Sequence, residues 1–223
     1  MRIDTHAAIN KGTMALLTES ELKQVSDAVA RIERDTDAEV VTVLAAQADD
    51  YTYIPLLWAA VIALLLPGIV NYHAGWLLQR ELLLVQWASF AVLAFLFRIP
   101  AITTRLIPRK VRHWRASNLA RRQFLEQDLH HTTGDTGVLI FVSEAERYVE
   151  ILVDRGIASR VDDATWQPII AVFTTQVQRG QTLQGFLTCI DSVGSVLAHH
   201  VPATSARNEL PDRLVVLGDL SRG

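Results

Sequence analysis

Residues 54–70 read IPLLWAAVIALLLPGIV and residues 82–97 read LLLVQWASFAVLAFLF, and neither stretch contains a charged residue. A helix that spans a bilayer needs roughly 20 mainly apolar residues, each adding about 1.5 Å. Extension of the first stretch to residues 51–72, and of the second to Pro100, reaches this length. Two buried helices of a soluble protein would need a larger core than the other residues could cover. The two stretches therefore predict a transmembrane helical hairpin.

Basic residues after the second stretch predict its orientation. Residues 98–125 contain eight Arg or Lys and no Asp or Glu, whereas residues 71–80 contain a single Arg. An excess of Lys and Arg marks the cytoplasmic side of a membrane. We therefore expect a multi-pass protein of the inner (plasma) membrane with its soluble segments in the cytoplasm. A polar segment precedes the first hydrophobic stretch, so we expect no signal peptide.

The same basic run predicts contact with the membrane surface. Each Lys or Arg near an anionic bilayer contributes about 1 kcal/mol of attraction to the lipid head groups. No nucleic-acid recognition motif accompanies the run, so we expect membrane lipids and a membrane-protein partner rather than nucleic acid. The candidate lipid-binding residues are Arg105, Arg109, Lys110, Arg112 and Arg115.

The segments on either side of the hairpin have the pattern of an α/β domain. Thr18 and Glu21 form a capping-box motif that opens a predicted helix over residues 18–36, and Glu39–Ala45 reads as a short strand rich in β-branched residues. After the hairpin we predict a helix over 109–131, strands over 138–143 and 148–154, a helix that Asp162 or Asp163 caps and that ends near Arg179, and a helix over 182–200. The apolar tail at 208–217 is expected to dock on this domain.

The strand before the hairpin and the strand pair after it cannot each bury their faces alone, so they must join one sheet that helices cover. This requirement places both soluble segments on the same side of the membrane, in agreement with the charge bias. We therefore divide the chain into the first part of the α/β domain (14–50), the transmembrane hairpin (51–100), the second part of the domain (101–202) and a C-terminal tail (203–223).

Five segments together resemble the TPM-domain family, also called TPM-phosphatase. They are LLTESELKQVSDAVARIERDTDAEVVTVLA at 16–45, GDTGVLIFVS at 134–143, RYVEILVDRGI at 147–157, the helix pair at 165–202 and ELPDRLVVL at 209–217. The last segment is similar to the tail of a membrane-anchored bacterial branch of the family. The resemblance covers most of the chain outside the hairpin.

The resemblance implies a three-layer α/β/α sandwich, interrupted here by the two-helix transmembrane hairpin. Members of the family are linked to photosystem repair, to accessory roles beside membrane channels, and to acid phosphatase activity with divalent-metal binding. Many members carry the domain uninterrupted in a lumen or outside the cell. This chain departs from that pattern because its anchor splits the domain, so we do not expect the lumenal roles.

Several carboxylates are predicted to meet at one edge of the sheet. A tight turn between the two later strands makes them antiparallel and sets Val138 near Val153. In this register, the residues just before the strand at 138–143 and those at the end of the strand at 148–154 lie at the same edge of the sheet. If the strand Glu39–Ala45 runs parallel to the strand at 138–143, the residues just before Glu39 lie at this edge as well. Grouped carboxylates suit Ca²⁺ or Mg²⁺. The candidate metal ligands are Asp37, Asp135, Asp154, Asp162 and Asp163.

These aspartates also have simpler interpretations. Asp135 lies in GDTG, a typical turn sequence, and Asp162 or Asp163 is suited to cap a helix. The resemblance aligns Asp135 with an acidic residue of the family's loop, although Thr136 stands where the family usually has Asn. A metal site, turn residues and helix caps therefore all remain possible interpretations of this edge.

No nucleophile with a neighbouring base has a defined spacing in this sequence, so the catalytic residues, if there are any, are not identified. We expect His130–His131 and His199–His200 to be solvated helix ends, the turn residues Glu144, Glu146 and Arg147 to be solvated, Trp166 to lie in the core, and Cys189 to be inert. The favoured function is a non-enzymatic accessory or scaffolding module at the cytoplasmic face. The alternative is a divalent-metal-dependent phosphatase that uses the acidic edge.

Overall fold

The computed structural model describes residues 17–51, 53–74, 78–97, 99, 107–204 and 210–218. The chain divides into two compact units. The α/β unit comprises Met1–Ala46 and Leu119–Asp219, and the hairpin unit comprises Gln47–Asn118 and Leu220–Gly223.

Helices and strands alternate along the α/β unit much as the sequence predicts. The capping box is confirmed, because the Glu21 amide donates to Thr18 Oγ1 (3.3 Å) and the Thr18 amide donates to Glu21 Oε2 (2.7 Å). The elements before the hairpin are α1 (Glu19–Ile32), a 3₁₀ turn (Glu33–Asp35) and β1 (Glu39–Ala45). Those after the hairpin helices α2 and α3 are α4 (Arg109–Glu126), whose second half belongs to this unit, a second 3₁₀ turn (Leu129–His131), β2 (Gly137–Ser143), β3 (Tyr148–Val153), α5 (Arg155–Ala158), α6 (Asp163–Gln178), α7 (Thr182–His200) and β4 (Leu214–Leu217).

Four strands form one sheet in the order β3-β2-β1-β4. β1 runs parallel to β2 from the pair Glu39–Gly137 to the pair Ala45–Ser143. β2 and β3 are antiparallel, and Val138 pairs with Val153 as predicted. The strand before the hairpin and the strands after it therefore do share a sheet. The tail docks as β4, a strand parallel to β1 that the sequence did not predict.

The central strands β1 and β2 are buried on both faces, and helices lie on both sides of the sheet, which confirms the predicted α/β/α layering. On one face, Val40, Leu44 and Ile140 pack in a common core with residues of α1, α6 and α7. On the other face, Val43 and Phe141 are fully buried, and the second half of α4 contributes buried residues of its own. Trp166 and Cys189 are buried, as predicted.

The turn between β2 and β3 corrects one prediction. Glu146 is buried rather than solvated, because the turn folds its carboxylate back onto the Ser143 hydroxyl, which donates to it. Glu144 also has a protein partner, since its Oε1 atom accepts from Thr182 Oγ1 at 2.7 Å. Arg147 remains exposed and adopts a left-handed conformation (φ 51°) that closes the turn.

Two apolar helices lie in the described part of the hairpin unit, α2 (Tyr53–Ala74) and α3 (Gln79–Leu96), and they pack against each other. Both are long and apolar enough to cross a membrane. Many of their large apolar side chains are exposed, including Leu64 (68%), Trp87 (71%) and Phe95 (77%). Exposed apolar surface of this extent marks a membrane or protein interaction site.

Candidate functional site

Three of the predicted aspartates lie next to strand ends at one edge of the sheet. β1 and β2 both begin at this edge, as the Glu39–Gly137 pair shows. β3 ends there, because the Asp154 amide donates to the Gly137 carbonyl at 2.9 Å. We call this edge the acidic edge, and define it by Asp37, Asp135 and Asp154.

Hydrogen bonds to backbone carbonyls join the three segments of the acidic edge. The Thr136 hydroxyl donates to the Asp37 carbonyl at 3.0 Å, and the Gly156 amide donates to the Asp135 carbonyl at 2.9 Å. Gly156 is required for this approach, since a Cβ atom there would lie 2.1 Å from the Gly134 carbonyl oxygen. Asp135 follows Gly134 through a left-handed turn, with φ angles of 55° and 85°. The turn interpretation of Asp135 is therefore confirmed, and its position is fixed by its neighbours.

The side chains of Asp37 and Asp154 have different surroundings. The Asp37 carboxylate accepts from the Thr204 amide at 2.9 Å and from the Thr204 hydroxyl, so it fixes the chain beyond α7. Asp154 caps α5, because its Oδ1 atom accepts from the Arg155 amide at 2.7 Å. Its Oδ2 atom is buried without a hydrogen-bond partner among the residues that the structure describes. A buried, unpartnered carboxylate oxygen is costly, which favours a cation or a proton at this position.

The other two predicted ligands belong to the start of α6. Asp162 is the N-cap, and its Oδ1 atom accepts from the Ala164 amide at 2.9 Å, which confirms the cap interpretation. Asp163 lies exposed in the first turn of the same helix, where a negative charge interacts favourably with the helix dipole. Whether these carboxylates and the acidic edge bind a metal stays a prediction.

Glu33 carries a partly buried carboxyl whose surroundings the sequence did not predict. The pKa of Glu33 is raised to about 9, mainly because the carboxyl is removed from water. A hydrogen bond from the Val40 amide lowers this pKa, whereas the neighbouring Asp212 carboxylate raises it. The Val40 amide lies 2.7 Å from Glu33 Oε1. The raised pKa favours the protonated form of Glu33 at neutral pH. The sequence placed it at the end of an exposed amphipathic helix and gave no indication that the tail would cover it.

Residues 105–196 match the family model of the TPM domain. This part of the chain is therefore similar to a TPM domain. The matched region runs through α4, β2, β3 and α6 into α7. Two strands outside it complete the sheet: β1, which the hairpin separates from it in sequence, and β4, which follows it.

One solved structure supports the TPM fold. The NMR structure of the BA42 protein from the psychrophilic bacterium Bizionia argentinensis is similar to this chain with a TM-score of 0.57, over 91% of this chain and 96% of that one. The two sequences are 19% identical, so the likeness concerns the fold alone. No curated protein matches the chain.

Four of the five basic residues predicted to bind lipid lie at the start of α4, in the hairpin unit: Arg109, Lys110, Arg112 and Arg115. Arg109 and Lys110 are exposed, whereas Arg115 has protein partners. Its Nε atom lies 3.0 Å from Asp49 Oδ2, and its Nη2 atom donates to the Tyr53 hydroxyl at 2.9 Å. Arg105 lies outside the described residues. Lipid binding by this run stays a prediction. In the structure, Arg115 links α4 to Asp49 and Tyr53 within the hairpin unit.

A second group of potential metal ligands lies just before β2 of the TPM domain. One ligand atom each from Asp128, His130 and His131 lies within 4.8 Å of the others. The sequence predicts that the two histidines are a solvated helix end, because metal ligands on one helix face would be separated by four residues. The 3₁₀ turn and the left-handed Asp128 (φ 56°) bring the three together, and that backbone geometry has no clear pattern in the sequence.

Cys189 offers no chemistry in its present position. It is buried, and burial raises the pKa of its thiol to about 12. The thiolate is the reactive form of cysteine, so the prediction that Cys189 is inert agrees with its surroundings.

Proposed function

We propose that the protein belongs to a membrane-anchored bacterial branch of TPM-domain proteins, and that its α/β unit is a non-enzymatic accessory or scaffolding module at the cytoplasmic face of the inner membrane. The observation that carries this proposal is the apolar surface of α2 and α3, whose large side chains are exposed in the isolated chain. In a bilayer these side chains would contact lipid tails or the helices of a partner.

The sheet supports a hairpin with both ends on one side of the membrane. β1 precedes the hairpin and β2 follows it, yet the two strands pair along their full length. A segment inserted between paired strands can cross a bilayer only an even number of times. The two helices satisfy this condition, and the basic residues that follow them favour the cytoplasm for the sheet.

A topology map tests this arrangement. Dual reporters with opposite compartment requirements would be fused after Gln47, at Ala74 and at Gly223 in the full-length chain. We expect Gln47 and Gly223 to report the cytoplasm and Ala74 to report the opposite side. Ala74 in the same compartment as Gly223, or recovery of the intact chain as a monomer without detergent, would refute the anchored arrangement.

The scaffolding role requires a membrane-protein partner, which can be captured by cross-linking in intact cells. A photo-reactive residue would replace Leu64 or Trp87, both of which are exposed on the hairpin. A discrete cross-linked protein of constant mass supports the proposal, and adducts to lipid alone at both positions speak against a partner at these helices. Glu19 on the exposed start of α1 provides a control position of the same chain.

The phosphatase alternative rests on one observation, the buried and unpartnered Oδ2 atom of Asp154 at the acidic edge. A divalent cation bound there would polarise the oxygens of a phosphate ester. Purified protein in detergent would be assayed with p-nitrophenyl phosphate, with and without Mg²⁺ or Ca²⁺. Metal-dependent hydrolysis that Asp135→Asn and Asp154→Asn abolish, and that Asp191→Asn on the exposed face of α7 leaves intact, would reverse the ranking of the two functions.

A further inference from the structure

We infer that Asp128, His130 and His131 form a binding site for a divalent transition-metal ion of the zinc class. This site uses none of the aspartates of the acidic edge and lies beyond the proposed accessory function. Its ligand atoms come from one short segment between α4 and β2, and they lie within 4.8 Å of one another.

The donor set indicates the class of metal. Two imidazole nitrogens and one carboxylate oxygen suit Zn²⁺ and its neighbours in the first transition row. Ca²⁺ and Mg²⁺ prefer shells made of oxygen atoms alone. Three protein ligands also leave a fourth tetrahedral position for water or for a ligand from another molecule. The group lies at the surface, so that position is accessible.

The backbone that carries these ligands is anchored to the sheet. Leu129, between Asp128 and His130, is fully buried. Its carbonyl lies so close to the start of β2 that a Cβ atom on Gly137 would be 2.3 Å from the carbonyl oxygen. The Thr132 hydroxyl donates to the same carbonyl at 3.3 Å. A metal site needs ligands that are held in place by their supporting residues, and these contacts supply that support.

An independent observation concerns the side chain of His130. Its Nδ1 atom is buried and has no hydrogen-bond partner in the described part of the chain. Its ring lies against that of His131, with the centroids 3.9 Å apart. A ring nitrogen that has lost water without gaining a partner costs free energy, and a metal ion bound through Nδ1 would remove that cost.

Zinc titration of the full-length protein in detergent tests the site. The protein would carry no polyhistidine tag, and ZnCl₂ binding would be followed by calorimetry, with Co²⁺ absorption bands as a report of tetrahedral geometry. We expect one equivalent to bind. Loss of a partner outside the ligand shell already weakens metal binding about tenfold or more, so we expect His130→Ala and Asp128→Asn to weaken it at least that much.

The chain offers a matched control in His199 and His200. These residues are also adjacent histidines at the end of a helix, with ring centroids 4.8 Å apart. The His199→Ala/His200→Ala double variant should bind zinc like the wild type. Unchanged binding in the Asp128→Asn/His130→Ala/His131→Ala variant, or an equal loss in the control, overturns the inference. Circular dichroism without metal checks the fold, and His130→Asn replaces His130→Ala if the latter unfolds.

Discussion

At the scale of single residues, the burial of Glu33 has the clearest energetic consequence. In the unfolded chain this carboxyl has its ordinary pKa of 4.5, and in the folded protein burial raises the pKa to about 9. Between these two values the folded protein binds a proton that the unfolded chain has released. Stability from this group is therefore complete below 4.5 and falls as the pH rises towards 9.

Glu33→Gln should remove this loss of stability. Glutamine keeps the oxygen that accepts from the Val40 amide and provides an uncharged group beside Asp212. From about pH 6 to about pH 8 we expect the variant to gain roughly 1–3 kcal/mol relative to the wild type. Urea unfolding followed by circular dichroism at both pH values measures the difference. A constant difference between the two proteins across this range would mean that Glu33 is already charged in the folded state.

The lack of a side chain at Gly156 allows the chain to lie against the backbone of Gly134 and Asp135 at the acidic edge. In Gly156→Ala the new methyl group would overlap the carbonyl oxygens of Gly134 and Asp135, at 2.1 and 2.6 Å. We expect a loss of about 1–3 kcal/mol, which is the usual range for overpacking, and a lower thermal midpoint. Gly218→Ala is the matched control because a Cβ atom there meets nothing within 4 Å. Equal midpoints for the two variants would show that the edge can move apart at little cost.

Residues differed in how well their surroundings could be predicted. Thr18 and Glu21 were predicted correctly because a capping box involves neighbours three residues apart. Glu33, Glu146 and His130 were not, because their partners depend on how distant segments or a tight turn fold back. Local hydrogen bonds are encoded in local sequence, whereas the burial of a polar group depends on tertiary structure.

At the scale of elements, β1, β2 and β3 were predictable because each is a run of six or seven residues rich in Val, Ile or Leu. The pairing of β2 with β3 followed from their short connection. β4 was missed because it has four residues, and its sequence LVVL suits a strand or a docked loop equally well. This stretch becomes a strand because it pairs with the edge of β1 that would otherwise be unpaired.

Removal of residues 210–223 tests the contribution of β4. The truncation would expose the edge of β1 at residues 42–45, which β4 otherwise pairs, and would remove Leu214 from the core. We expect a loss of roughly 2–4 kcal/mol from the hydrogen bonds and the apolar contact together, and increased self-association through the new edge. Thermal unfolding and light scattering measure the two effects.

Removal of residues 219–223 alone is the control for this truncation. That variant keeps β4 and should match the full-length protein in both measurements. If the longer truncation also matches it, the tail is not a structural part of the sheet.

At the scale of the whole molecule, the α/β unit contains all four strands and both faces of its core. We therefore expect it to fold without the hairpin. Replacement of residues 47–118 by a flexible linker of about 20 residues, long enough to span a strand of about 23 Å, should give a detergent-free monomer with α/β circular dichroism. Ile140→Pro in the central strand β2 is the control that should abolish the spectrum. Aggregation of the linker variant would show that the hairpin unit is needed for folding.

The position of β1 between β2 and β4 also affects how the chain is made. β1 leaves the ribosome first, but both of its neighbours in the sheet are translated later, β2 after the hairpin and β4 near the end. At about 5–20 residues per second, the nascent strand waits at least several seconds for its first partner. In the proposed membrane-anchored arrangement, the hairpin would enter the membrane during that time, before the sheet is complete. A chaperone that shields β1 on the ribosome would therefore prevent more misfolding in this protein than in a protein whose strands pair as they emerge.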